Sequence, residues 1–242
     1  MRVEEYGKEN SKIIVMLHGA HFVHSFSKQY PLAKDYHIIV PHLMGFGDNT
    51  KRAFQTDACI KELTDYIKSL NQKVLIVGFS LGAQLIYRLV SEYEELFEGA
   101  IMISPGLIKE EPLFSKIEKL NVKQLKQLHN KRMCSLIGRM NGMTAEQRKE
   151  FVQQMQHVTE ETVHHMVDNG ITIDSVPAFK NVTIPMLALA GKKEQKEVHE
   201  SIRRLSEQNP NCKYEIWDKA GHNIPPLCAG KLNALICSMM EK

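Results

Sequence analysis

Ser80 is the residue best placed for covalent chemistry. It is the centre of Gly78-Phe79-Ser80-Leu81-Gly82, directly after the apolar run Val74 to Val77 and directly before the periodic segment Leu85, Ile86, Leu89, Val90. A serine at a strand-to-helix corner sits in a strained backbone, and small neighbours are needed because side chains there would collide with the adjoining strand and helix. The corner lifts the hydroxyl above the sheet edge. It also aims the first helical amides at the same point, so the Leu81 N–H becomes a donor to a developing oxyanion. A hydroxyl is a weak nucleophile at neutral pH and needs a base within hydrogen-bond reach. Ala220-Gly221-His222, in a glycine-containing loop after the last apolar run, supplies one. Together they would perform acyl transfer. Each piece alone has a plainer reading, a glycine-rich turn with a bystander serine and a surface-loop histidine.

These side chains need a frame, and the frame is visible as short apolar runs bounded by turn residues: Ile13 to Leu17, His37 to Val40, Val74 to Val77, Ile101 to Ile103, Met186 to Ala190 and Tyr214 to Trp217. Most lack alternation, which predicts strands covered on both faces, as in a parallel sheet. Arg2 to Tyr6 adds an edge strand. Between the runs lie helical patterns such as Ile60, Leu63, Ile67, Leu70 and, later, Val198, Ile202, Leu205, so the class is α/β with helices on both faces. The rhythm breaks after Ser104-Pro105-Gly106 and resumes at Ile184-Pro185. The interval up to Val176 holds amphipathic helices only, one opening at Thr144 with Gln147 in the capping-box position. Its methionines (Met133, Met140, Met143, Met155, Met166) suit either a compliant channel or plain core, and core is the commoner use.

The first strand ends in His18-Gly19-Ala20, which resembles the oxyanion loop of the α/β-hydrolase superfamily. Pro185 to Glu194 resembles that superfamily's P-x-L-x-x-x-G-x-x-D stretch, with Glu194 where aspartate is usual, and Pro41 to Asp48 resembles its D-x-x-G-x-G-x-S turn, with His42 in the aspartate position. The chain order nucleophile, acid, base is also that of the superfamily. The resemblance implies a mostly parallel central sheet with an inserted helical lid, residues 1–104 and 177–242 forming the core and 105–176 the lid. It implies a Ser80-His222-Glu194 triad, in which the carboxylate orients the imidazole, and the Ala20 and Leu81 amides as oxyanion donors. Glu197 and Glu200 compete with Glu194 for the acid's role, and the neighbouring Lys192, Lys193 and Lys196 make a merely solvated charged run another reading. His18 itself is expected to brace its loop. The activity implied is cleavage of small to medium carboxylic esters through an acyl-enzyme, without a cofactor. Thioesterase, lactonase, peptidase and carbon–carbon bond hydrolase relatives share the same site, and a non-catalytic ligand-binding protein on this fold is the rival from another class.

Composition narrows the partners. Lys and Arg number 31 against 28 Asp and Glu, for a net charge of +3. That balance is too even to make nucleic acid or an anionic membrane the defining partner, and a small molecule fits better. Five scattered cysteines with no C-x-x-C argue against a disulfide framework and a zinc knuckle. The charged start MRVEEYGKEN has no apolar leader and no apolar run approaches the ~18 residues of a bilayer span, so a cytoplasmic protein is expected. His18, His21 and His24 leave a strand into a loop with no accompanying carboxylate, so no metal is expected there, and His21 and His24 are expected to border the cleft mouth. Gly45-Phe46-Gly47 lacks the third glycine and the helix that dinucleotide binding requires. The oligomeric state is open.

Overall fold

The computed structural model describes residues 1–110 and 113–241. Seven strands, β1 (Val3–Tyr6), β2 (Ile13–Leu17), β3 (His37–Pro41), β4 (Val74–Phe79), β5 (Phe97–Ile103), β6 (Met186–Gly191) and β7 (Cys212–Trp217), form one sheet in the order β1-β3-β2-β4-β5-β6-β7. Only β1 runs antiparallel, pairing with β3. The remaining pairs are parallel.

Strand periodicity sorts the apolar residues into two layers. Ile13, Val15 and Leu17 of β2, with Val74 and Ile76 of β4, face one cluster, which also takes in α1 (Thr56–Ser69), α2 (Leu81–Glu92) and α7 (Lys196–Gln208). Ile14 and Met16, with Leu75, Val77 and Phe79, face the other, which is closed by Leu232, Ile236 and Met240 of α9 (Ala229–Met240). A short helix, α8 (Ile224–Leu227), precedes α9. Burial on both sides explains why the central strands read as unbroken apolar runs.

Two strands depart from the sequence expectation. β5 starts at Phe97, ahead of Ile101; the exposed Glu98 and the small Gly99 break the apolar pattern of its first residues, and a register shift against β4 lies at Val74/Leu75. β7 is an edge strand covered only at its ends: Tyr214 and Ile216 are exposed, where covered faces were expected.

Between β5 and β6 stand α3 (Leu113–His129), α4 (Lys131–Met140), α5 (Ala145–Met155) and α6 (Glu160–Val167). Thr144 and Gln147 form the expected capping box at the start of α5. Leu125, Cys134, Phe151 and Val163 from this block join the same apolar cluster as α1 and α2, so the block packs continuously with the sheet. Met143, Met155 and Met166 are buried, whereas Met133 and Met140 are exposed. Among the described residues, no helix is long and apolar enough to cross a membrane.

Candidate active site

Ser80 occupies the corner between β4 and α2 with φ +53° and ψ −112°. A non-glycine residue there carries strain on the order of 1–3 kcal/mol, which the surrounding structure must impose. Its amide donates to Ile103 O at 2.8 Å, anchoring the corner to β5. A Cβ on Gly82 would stand 2.1 Å from Leu17 O, and one on Gly78 would stand 2.6 Å from the Gly82 carbonyl. Glycine at both positions lets α2 press against the strands. The first amides of α2, beginning with Leu81, have no acceptor within the helix.

His222 follows β7, and its Nδ1 lies 2.7 Å from Glu194 Oε2. Glu194 follows β6. Its other oxygen, Oε1, accepts from Ser104 Oγ at 2.5 Å and from the Gly191 N–H at 2.9 Å. The Lys193 amide donates to Ala220 O and the Lys192 amide to Trp217 O, so the acid loop and the histidine loop are stitched together by backbone. The Glu194 side chain is 2% exposed and that of His222 is 51% exposed. Burial pushes the Glu194 carboxyl up, but hydrogen bonds from His222, Ser104 and Gly191 outweigh it, and the net shift is downward. The group is therefore a carboxylate beside an imidazole. Phe79 packs on the imidazole with ring centroids 4.9 Å apart.

Ser80, His222, Glu194, Ala20 and Leu81 all line one cavity of about 520 Å³. Its roof is largely apolar and comes from α3 and α6 (Phe114, Ile117, Leu120, Met166, Val167). Among the described residues no hydrogen bond joins Ser80 Oγ to His222, a distance that commonly tightens only with substrate in place. Of the three carboxylates left open by the sequence, Glu194 is the one that touches His222. Glu197 lines the cavity without that contact, and Glu200 pairs with Arg203 at 2.6 Å.

Ser104 was not singled out by sequence reasoning. It directly follows β5 with φ +55°, is buried, and lines the cavity. The one signal was the break in rhythm at Ser104-Pro105-Gly106. Glutamate in place of aspartate makes sense here, because its extra methylene lets Oε1 reach across to β5 while Oε2 meets the imidazole.

Of the histidines after β2, His18 takes the bracing position expected of it, whereas His21 and His24 depart from expectation. His18 is buried; its Nε2 accepts from the Leu43 N–H at 3.1 Å and its Nδ1 faces Gly19 O at 2.6 Å, a bracing role. Burial pushes it down to about 3. His21 and His24 do not border the cleft mouth: both are buried and neither lines the cavity. His21, at φ +68°, has no partner for either ring nitrogen among the described residues, and burial pushes it down to about 4. Its backbone folds the ring inward against Phe46, 5.5 Å away. His42, which directly follows β3 and precedes Gly45-Phe46-Gly47, accepts from the Asp48 N–H and donates to Glu4. Glu4, His24 and Glu150 each bring one possible ligand atom within 4.8 Å of the others, so carboxylates do accompany His24, contrary to the sequence expectation. Here His24 is already hydrogen-bonded through both ring nitrogens, to the Tyr30 hydroxyl and to Glu150.

Residues 14–235 match the sequence model of the alpha/beta hydrolase family. No curated protein matches the chain. Among solved structures, the chain resembles a bromoperoxidase from Bacillus anthracis (17% identity, TM-score 0.79, covering 99% of this chain and 95% of that one). It also resembles the enol-lactonase from Burkholderia xenovorans LB400 (14%, 0.77, 100% and 96%). A third is a thermophilic esterase from Thermogutta terrifontis (16%, 0.75, 99% and 92%). At such identities the likeness is one of fold.

Proposed function

Because the chain belongs to the alpha/beta hydrolase family, we propose that it is a serine hydrolase cleaving small to medium carboxylic esters. Ser80 Oγ attacks the ester carbonyl while His222 Nε2 takes its proton, and Glu194 holds the imidazole through Nδ1 and balances its positive charge. The Ala20 and Leu81 amides hold the tetrahedral oxyanion; one such donor is worth about 2.7–4 kcal/mol where it has been removed elsewhere. Collapse expels the alcohol, protonated by His222, and leaves an acyl-Ser80 ester. Water, deprotonated by the same imidazole, then releases the acid and restores the hydroxyl. In this reading helices α3 to α6 act as a lid and set the size of acyl group that enters.

The observation that carries the reading is the 2.7 Å pair of His222 with a buried carboxylate in the same cavity as a strained, glycine-flanked serine. Esterase, lactonase and thioesterase relatives among the structural neighbours support the reaction class. The test is a serine-directed fluorophosphonate together with nitrophenyl esters of graded acyl length. Label at Ser80, lost in Ser80→Ala along with hydrolysis, is the expected result. A folded protein that neither takes the label nor turns over any ester would overturn the reading in favour of a non-catalytic ligand-binding protein.

A further inference from the structure

Lys109 lies on the segment that leaves β5 and lines the same cavity as Ser80. Its Nζ donates to Val167 O, at the carboxyl end of α6, at 3.1 Å, and to the side-chain oxygen of Asn169. Both acceptors are neutral. Among the described residues no carboxylate comes within ion-pair range of it, and the exposed Asp168 acts only at longer range. Glu197 lines the cavity without pairing with Lys109. Burial pushes the ammonium down to about 8, so it is still mostly charged at neutral pH. Lys109 is half-buried, and a charge partly withdrawn from water commonly has a counter-ion; this one has a helix end, an amide and a third N–H left over.

A second group stands nearby. Gln84, on the first turns of α2, accepts from Asn169 Nδ2 at 2.6 Å through its Oε1, which leaves its own N–H groups without an acceptor among the described residues. Asn169 thus ties Lys109 and Gln84 into one polar wall whose unspent N–H groups are the third of the Lys109 ammonium and those of the Gln84 amide. The apolar part of the roof, Phe114, Ile117, Met166 and Val167, suits a hydrocarbon chain, beside the polar Asn121 and Gln124 of α3.

We infer that the substrate is an ester carrying a carboxylate remote from its scissile bond, bound by Lys109 with Gln84 while its methylene segment lies under α3 and α6. This rests on the serine hydrolase reading and names its substrate class. A carboxylate suits the site better than a phosphate dianion, since one ammonium with one N–H to spare offers a single charge.

The test compares four esters at pH 7 in the wild-type protein. One pair is the monomethyl ester of a straight-chain dicarboxylic acid against the methyl ester of the monocarboxylic acid of equal length. The other carries the carboxylate on the alcohol side, against its neutral counterpart. At least a tenfold higher kcat/KM for the anionic member of one pair is expected, and the pair that shows it tells which side of the ester reaches Lys109. In Lys109→Met that ratio falls toward one, expressed mainly in KM, and Lys109→Arg retains it. If Lys109→Met does not fold, the wild-type and Lys109→Arg ratios decide. Equal or poorer turnover of both anionic esters, or a ratio unchanged in Lys109→Met, overturns the inference. If neutral esters are nonetheless hydrolysed and Ser80 takes the fluorophosphonate, the hydrolase reading survives that failure. Absence of both overturns the two together.

Discussion

Replacing Glu194 by glutamine keeps the shape of the side chain but forces a choice of orientation. Oε1 accepts from the Gly191 N–H, which can only donate, and from Ser104 Oγ. The amide oxygen must stay there, so the new NH2 group turns to His222 Nδ1, where a carboxylate oxygen now sits at 2.7 Å. The imidazole then accepts at Nδ1 and carries its proton on Nε2, the nitrogen that should take the proton from Ser80. Restoring the active tautomer puts two donors face to face, a lost hydrogen bond worth about 1–3 kcal/mol. The imidazolium that forms also loses a counter-charge worth about 4 kcal/mol near 4 Å at an effective dielectric of 20. Taking about 5 kcal/mol as the combined penalty, kcat should fall on the order of ten-thousand-fold, in line with the loss seen when the triad aspartate of a serine protease is made an amide. The assay is nitrophenyl ester hydrolysis by Glu194→Gln, with a thermal melt to establish that the variant is folded. A folded variant with kcat within tenfold of wild type would refute the assignment of Glu194 as the orienting acid.

Other outcomes follow from the packing and the buried groups. Gly82→Ala drives a methyl group into the Leu17 carbonyl and is expected to cost about 3 kcal/mol, lowering Tm by roughly 6–12 °C for a chain of this size; a melt within 2 °C of wild type, on the order of 1 kcal/mol or less, would contradict the close approach. His18 and His21 are held down to about 3 and about 4 by burial, whereas an unfolded imidazole titrates near 6.5. The unfolded chain therefore binds more protons in that window, so their contribution is intact above about pH 6.5 and drains away toward pH 4 and below. Urea melts at pH 7, 6 and 5 should show the decline. His21→Phe, which removes two unpaired nitrogens, should add about 1–3 kcal/mol at pH 7 and flatten the decline; a less stable variant would refute this. Cys59, Cys134 and Cys212 are buried, while Cys228 and Cys237 are partly exposed. A thiol reagent should therefore find at most two reactive groups in the native protein and five after denaturation; rapid reaction of three or more natively would contradict the packing.

How far the sequence was legible depended on whether a feature is local. The central strands declared themselves because burial on both faces leaves only apolar residues to choose from, whereas β7, buried at Cys212 and Trp217 alone, carries little pattern between them. The Ser80 corner was legible because its strain demands glycines at fixed offsets. Glu194 stayed in competition with Glu197 and Glu200 because three carboxylates follow one strand closely; what separates them is that α7 begins at Lys196, which leaves Glu194 on the loop and carries the others away along the helix. Ser104 was marked only by the break in rhythm after it, and Lys109 by nothing. Their meaning is a relation through space, to a carboxylate ninety positions downstream in one case and to an apolar cavity in the other. His21 and His24 were misplaced because polarity suggested exposure, while the loop folds both rings inward.

The cavity's floor and ceiling come from different stretches of chain. The proposed triad residues stand on turns that follow β4, β6 and β7, whereas Phe114, Ile117, Leu120, Met166 and Val167 hang from helices threaded in between β5 and β6. Appetite and machinery can therefore drift apart over generations. Random codons at those five ceiling positions should yield many descendants that keep their catalytic competence yet favour new acyl groups, which makes this scaffold a natural stock for breeding selectivity.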